Sequence, residues 1–234
     1  MYTCTYADAY AGKNFKYNFL IEKYMKINEI FYSIQGEGKW MGIPNIFIRT
    51  SGCNLRCNYC DTKYAYYKGD QIEIPKILKK ISKFNCKKIC ITGGEPLLQK
   101  DINNLIDKLI KNNYQALIET NGSIDLKIIE NLKNVSISLD IKCPSSKMQD
   151  KMIFENIFQL DNKDQLKFVI ETKKDYEYAK KIIKKYDPKS NVFFQPVWGL
   201  NIKKIANWIL NDNLDVILGV QLHKIIWGEK AKGR

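Results

Sequence analysis

The sequence predicts an α/β fold, an open and incomplete β/α barrel of about six units. Three observations predict it. Short apolar runs alternate with segments of helical period from about residue 45 to residue 220, the pattern left by parallel strands that cross over through helices. Polar stretches carrying Gly or Pro recur at the downstream ends of the apolar runs, where parallel α/β folds gather their chemistry. The units number about six, two short of the eight that close a barrel.

Taken in order, residues 1–24 are rich in Tyr, Asn and Lys without a period, and read as an N-terminal appendage to a single domain spanning 25–234. A strand at 26–32 runs into Ser33-Ile34-Gln35-Gly36-Glu37-Gly38, a turn whose glycines let backbone approach a ligand closely. As a bare Gly-x-Gly that turn specifies nothing. A strand at 45–50 delivers Arg49 and a cysteine-rich loop, and Ile74, Ile77, Leu78 and Ile81 mark a helix within 72–84. The strand at 88–92 ends in Thr92-Gly93-Gly94-Glu95-Pro96, a helix follows at 99–112, and the strand at 116–119 ends in Glu119-Thr120-Asn121-Gly122. A helix at 126–132 leads to strands at 135–140 and 164–170, then a helix at 174–186. The strand at 192–194 ends in Gln195-Pro196-Val197-Trp198, and a helix at 202–210 precedes a last strand at 216–220.

With 234 residues, 45% of them apolar, the chain buries one sizeable core. No run of eighteen apolar residues and no signal-peptide pattern occurs. A soluble, cytoplasmic protein with no membrane contact is expected. The net charge of +13 comes from lysines scattered over helical stretches, whereas arginine occurs only at positions 49, 56 and 234. A solvated lysine surface is the simpler account, and direct nucleic-acid binding is not expected. The scarcity of arginine draws attention to Arg49 and Arg56, which sit beside the loop's cysteines.

Seven cysteines, three of them in Cys53-Asn54-Leu55-Arg56-Cys57-Asn58-Tyr59-Cys60, fit a reducing compartment where thiols serve metals. Thiolates select soft metals and iron–sulfur clusters. A cubane with three protein thiolates keeps one iron open for a ligand. A structural zinc site wants four ligands; Cys86 and Cys90 are spaced like half of one, but Cys90 sits in an apolar run. Elsewhere the residues alone leave alternatives open. Gly93-Gly94 could expose backbone to an amine or carboxylate, or form an ordinary strand-to-helix turn. Ser138-x-Asp140-x-Lys142 reads as a polar strand end, and His223, the single histidine, as solvated or packed.

The CxxxCxxC spacing, with Tyr59 just before the last cysteine, resembles the signature of the radical S-adenosylmethionine (SAM) enzymes. That resemblance implies a radical SAM core, a 4Fe-4S cluster on Cys53, Cys57 and Cys60, and SAM chelated to the open iron. Gly93-Gly94-Glu95-Pro96 resembles the superfamily's second signature. The implied SAM contacts are Tyr59, Asp61, Gly94, Glu95, Ser138, Asp140, Lys142 and Gln195.

A narrower resemblance rests on Tyr32 through Gly38, Gly42-x-Pro44, Phe47-x-Arg49-x-x-Gly52-Cys53 and Cys60-Asp61-Thr62. It continues through Glu119-Thr120-Asn121-Gly122, Leu166-Lys167-Phe168-Val169, Gln195-Pro196 and Gln221-x-His223-Lys224. Together these resemble the 7-carboxy-7-deazaguanine synthase (QueE) family, from about residue 25 to residue 224. The family's activity is a carbon–nitrogen lyase reaction that turns 6-carboxy-5,6,7,8-tetrahydropterin into 7-carboxy-7-deazaguanine with loss of ammonia, toward queuosine and archaeosine. The resemblance implies substrate contacts at Ile34, Gln35, Gly36, Glu37, Arg49 and Thr92, with the Arg49 fork suited to a carboxylate. It also implies Mg²⁺ at Thr62, a homodimer, and a flavodoxin or ferredoxin-type electron donor. One departure stands out: the family's Ser-Pro-Lys element is stretched here over residues 138–144. Two other classes compete with this reading, a glycyl-radical-enzyme activating protein, which shares the cysteine spacing, and a basic tRNA-binding module without catalysis.

Overall fold

The computed structural model describes residues 24–233. The expected appendage lies outside them except for Tyr24, which opens the first strand. Among the described residues nine strands form one sheet: β1 (Tyr24–Ile34), β2 (Pro44–Thr50), β3 (Asp70–Glu73), β4 (Lys88–Gly93), β5 (Gln115–Thr120), β6 (Ser136–Ile141), β7 (Gln165–Ile170), β8 (Asn191–Pro196) and β9 (Ile217–Leu218). Their order is β3-β1-β2-β4-β5-β6-β7-β8-β9. From β2 to β9 every pair is parallel, while β1 runs antiparallel to both β2 and β3. The end strands β3 and β9 do not pair with each other, so the barrel stays open, as the short unit count predicts.

Five α-helices accompany the strands among the described residues: α1 (Ile74–Ile81), α2 (Ile102–Lys111), α3 (Lys173–Tyr186), α4 (Ile202–Asn211) and α5 (Leu222–Trp227). The helix α3 starts where Thr172 and Asp175 close a reciprocal capping box. Side chains alternate across a strand, and the alternation sorts this sheet into two faces. Ile46 and Ile48, Ile89 and Ile91, Ala116 and Ile118, Ile137 and Leu139, Leu166 and Phe168, and Phe194 all belong to one large core with the helices' Ile and Leu residues. Burying one such side chain is worth about 1.5–3 kcal/mol. The intervening positions on the other face begin with a small apolar plug, Phe47, Cys90 and Leu117. One pleat further along come Arg49, Thr92, Glu119, Asp140, Lys167 and Gln195.

Three elements differ from expectation. The segment 126–132 is not a helix but two isolated turns, Leu126–Ile128 and Leu132–Asn134. Neighbouring side chains take the backbone groups a helix would use: Asn156 accepts from Leu126 N and donates to Ile124 O, and Asn103 donates to Ile128 O and accepts from Glu130 N. Residues 70–73 form β3 against β1, so that the helix expected from residue 72 begins only at Ile74. The chain after β9 turns into the short helix α5.

Candidate active site

The site is a cavity of about 530 Å³ at the C-terminal ends of the parallel strands. Strand β2 ends in Thr50, and the cysteine loop departs from there. Leu55, 2% exposed, plugs the loop into the core. Arg56 fastens its outer side, donating through Nη1 to the carbonyls of Cys53 and Leu55 at 2.8 and 2.7 Å. Its guanidinium also lies 4.3 Å over the Tyr66 ring. Arg56 is thus a loop clamp. All three thiols line the cavity and none is in a disulfide. Leu55 N and Asn121 Nδ2 point at Cys53 Sγ, at 3.4 and 3.8 Å.

The Gly93-Gly94-Glu95-Pro96 turn lies directly against that loop. Glu95 N donates to Gly52 O at 2.7 Å and Gly94 N to Thr50 O at 3.3 Å. A Cβ on Gly94 would stand 2.0 Å from Gly52 O, so only glycine permits this approach. The Glu95 carboxylate does not line the cavity. It is fully buried behind the wall, where Oε1 accepts from Leu97 N and Thr120 Oγ1 and Oε2 accepts from Asn121 N. Burial pushes its pKa up to about 7, although those bonds and Lys142 favour the anion.

On the opposite side, Gln35, Thr92 and Glu119 form one network. Gln35 Nε2 donates to Glu119 Oε1 at 3.0 Å and to Cys90 Sγ at 3.4 Å, and Thr92 Oγ1 donates to Glu119 Oε2 at 2.7 Å. Arg49 donates through Nε to Glu29 Oε1 at 2.7 Å. Its guanidinium also stands over the Phe31 and Tyr64 rings. Its terminal nitrogens have no acceptor among the described residues. Glu37 Oε2 pairs with Lys167 at 2.8 Å, and Glu37 Oε1 accepts from Gln221 at 2.9 Å. Burial alone would raise the Glu37 pKa, but Lys167 and Gln221 hold it below the usual carboxylate range.

Toward the far end of the sheet, Asp140 pairs with Lys142 at 2.6 Å and with Lys167 at 3.2 Å. Ser138 sits one pleat back from the cavity, buried, accepting from Gln165 Nε2 at 2.7 Å. Thr62 is half-buried; it donates to Asp61 Oδ1 at 2.9 Å, and Lys224 pairs with the other Asp61 oxygen at 2.7 Å. Helix α5 closes this side: Leu222 N donates to Gly36 O at 2.9 Å, and His223 Nδ1 stands 2.0 Å from where a Cβ on Gly36 would be. Burial lowers the His223 pKa despite Glu37 and Asp61 nearby.

The structure therefore brings together Cys53, Cys57, Cys60, Ile34, Gln35, Gly36, Glu37, Arg49, Thr92, Tyr59, Asp61, Thr62, Gly94, Asp140, Lys142 and Gln195. Glu95 and Ser138 stand behind the wall. Cavity residues that the sequence places within motifs but to which it assigns no ligand contact include Glu119, Asn121, Lys167, Trp198, His223 and Lys224. Period-two alternation marks Glu119 and Lys167, since each follows an apolar plug position or separates two core residues. Periodicity does not mark His223 or Lys224, which stand out only through the Gln221-x-His223-Lys224 motif and whose partners lie far away in sequence.

The donor set fits an iron–sulfur cluster with SAM. Burial holds the Cys53 and Cys57 thiols above their ordinary pKa, and iron would displace those protons. Among the described residues no three His, Cys, Asp or Glu side chains are grouped to hold a single metal ion, which a cubane does not require, since each thiolate takes its own iron. Two buried side-chain oxygens on cavity-lining residues, Tyr59 Oη and Gln195 Oε1, have no hydrogen-bond partner among the described residues.

An open parallel barrel with three cysteines at its rim defines a radical SAM enzyme, and the Radical SAM superfamily model matches residues 47–189. Curated relatives narrow this. The chain is 38% identical over 205 residues to the 7-carboxy-7-deazaguanine synthase of Thermoplasma acidophilum, covering 88% of this chain and 98% of the relative. It is 41% identical over 206 residues to that of Methanospirillum hungatei, covering 86% and 85%, and 40% identical over 217 residues to that of Clostridium acetobutylicum, covering 89% and 98%. The chain belongs to the 7-carboxy-7-deazaguanine synthase family. The crystal structure of QueE from Escherichia coli shares the fold, with a TM-score of 0.72 at 23% identity over 86% of this chain and 95% of that one. These relatives do not favour a glycyl-radical activating protein.

Proposed function

We propose that this enzyme converts 6-carboxy-5,6,7,8-tetrahydropterin to 7-carboxy-7-deazaguanine with release of ammonia. The observation that carries the reading is the grouping of Gln35, Arg49, Thr92 and Glu119 in one cavity with Cys53, Cys57 and Cys60. The cluster and SAM, when bound, supply the radical that starts the reaction. The chain's own residues bind, orient and shield. Glu29 fixes the Arg49 guanidinium through Nε, which leaves the terminal nitrogens to take the substrate carboxylate in a bidentate pair. Gln35 and Thr92, both anchored on Glu119, present polar edges to a flat heterocycle. Glu37, held ionised by Lys167, is an acceptor for ring N–H groups. Asp140, Lys142 and Gln195 face the cofactor side with Tyr59, and Gly94 offers its backbone there.

Mg²⁺ at Thr62 belongs to the same proposal. The paired oxygens of Thr62 and Asp61 suit a hard cation that keeps most of its waters. A homodimer and a flavodoxin or ferredoxin-type donor are likewise proposed from the family. No described helix is long and apolar enough to cross a membrane.

The test is anaerobic incubation of cluster-loaded enzyme with SAM, dithionite and carboxytetrahydropterin, read by mass spectrometry. Carboxydeazaguanine should form with ammonia. SAM cleavage with the pterin returned intact would remove the substrate assignment. Thr62→Ala should keep its cluster and lose any rate increase on adding Mg²⁺; a variant as responsive as the parent would leave Thr62 as a turn residue.

A further inference from the structure

Lys167 stands where the two halves of the cavity meet. Its Nζ lies 2.8 Å from Glu37 Oε2 and 3.2 Å from Asp140 Oδ1, and its side chain is only 10% exposed. The outer oxygens of both acids are also taken: Gln221 Nε2 donates to Glu37 Oε1 at 2.9 Å, and Lys142 pairs with Asp140 Oδ2 at 2.6 Å. A continuous chain of hydrogen-bonded charge thus runs from α5, through the turn after β1, across β7 and β6, toward the cysteine loop.

Nothing about folding requires this. Position 167 lies between Leu166 and Phe168, both fully buried in the large core. A well-packed apolar residue there, with neutral partners, is often at least as stabilising as a buried ion pair. A lysine shared by two acids is informative because each acid belongs to a different half of the site. Glu37 is on the pterin side and Asp140 on the SAM side, an assignment that rests on the function proposed above.

We infer that Lys167 is a positioning residue that couples binding in the two halves of the cavity. Whichever ligand binds first fixes its own carboxylate and, through the shared ammonium, orders the other. The second ligand then meets a site whose conformational freedom is already lost, which gives positive cooperativity without a large movement. Linkage makes the effect reciprocal, so the pterin tightens SAM by the same factor as SAM tightens the pterin.

Equilibrium dialysis of SAM against cluster-loaded enzyme without a reductant, where no turnover occurs, measures the coupling directly. The quantity read is the ratio of SAM dissociation constants without and with saturating carboxytetrahydropterin. The parent should give a ratio of about 5 or more. Lys167→Met should fall below about 2, and Lys167→Arg, whose fork spans two carboxylates, should regain most of the ratio. A merely structural lysine would lower the melting temperature of Lys167→Met and leave the ratio unchanged. If Lys167→Met fails to fold, Glu37→Gln breaks the same chain, and its own effect on pterin affinity cancels at saturation. A parent ratio of 1, or an undiminished ratio in the soluble variant, overturns the coupling. Asp140→Asn separates the two levels: weaker SAM binding with an undiminished Lys167→Met ratio sinks the coupling alone, whereas unchanged SAM binding sinks the site assignment beneath it.

Discussion

Gly94→Ala is the sharpest perturbation of the way this site is assembled. The added methyl would lie 2.0 Å from Gly52 O, 2.5 Å from Gly52 C and 2.9 Å from Cys53 Cβ. The first two atoms are backbone, so no side chain can swing aside. Restoring ordinary contact requires the two loops to part by more than about 1 Å. Parting them breaks the 2.7 Å bond from Glu95 N to Gly52 O, at about 1 kcal/mol, and the residual overlap adds about 1–3 kcal/mol. The total, about 2–4 kcal/mol, is a large share of a domain's stability. In urea it corresponds to a midpoint lower by about 1 M.

Two assays follow from that estimate. Urea unfolding of the cluster-free protein reads the strain, and iron per chain after reconstitution reads whether Cys53 still stands in place. Gly42→Ala is the control: its φ of +83° makes alanine strained, yet nothing lies within 4 Å of its Cβ. It should cost about 1–2 kcal/mol and keep full iron. A Gly94→Ala protein with the parent's midpoint and iron content would refute the claim that the close approach of these loops depends on the absence of one methyl.

Alanine at Cys53, Cys57 or Cys60 should abolish cluster retention, measured as iron and sulfide per chain, whereas alanine at Cys86, Cys90 or Cys143 should retain it. The pH dependence of stability should carry a signature of Glu95, whose carboxyl is raised from 4.5 to about 7. A raised acid binds its proton more tightly when folded, so the contribution is full below pH 4.5 and up to about 3 kcal/mol is lost as pH climbs through 7. Urea midpoints at pH 5 and pH 8 should therefore differ less in Glu95→Gln than in the parent, and equal differences would dismiss the effect. Gly36→Ala collides with His223 Nδ1 at 2.0 Å; the melting temperature it loses should return in Gly36→Ala/His223→Ala, and a double variant no more stable than the single would mean that α5 does not press on the turn.

What could be read beforehand follows from how local each determinant is. Strands such as Ile89-Cys90-Ile91-Thr92 announce themselves by apolar alternation, and the cysteine loop by spacing alone. Glu119 and Lys167 were equally legible in principle. A lysine between two core residues of a buried strand must find acids, and Lys167 found two. The segment 126–132 misled because its helical period is real, while Asn103 and Asn156, which unravel it, come from other elements. Helix α5 and the Lys224 to Asp61 pair were beyond reach of periodicity, since 163 residues separate the two and only the folded sheet brings them together. Ser138 shows the opposite limit: motif position placed it at a ligand, but it lies one pleat deeper than Asp140 and accepts from Gln165.

The same geometry explains why a chain of net charge +13 has no strongly basic cavity. Arg49 faces Glu29, Lys142 faces Asp140, Lys167 faces Glu37 and Asp140, and Lys224 faces Asp61, each within 3.2 Å. Lysines such as Lys79, Lys80, Lys174, Lys181, Lys184 and Lys185 are exposed on helices, in solvent that screens charge over about 8–10 Å. A polyanion such as tRNA would meet the outer charge, whereas a zwitterion or a small acid meets counter-charges already fixed in place. Preorganised pairs of this kind lower the reorganisation needed when a ligand arrives. They also demand that every acid keep its base, because a buried charge left alone costs several kcal/mol. The cavity is therefore specific through the placement of its charges rather than through their sum.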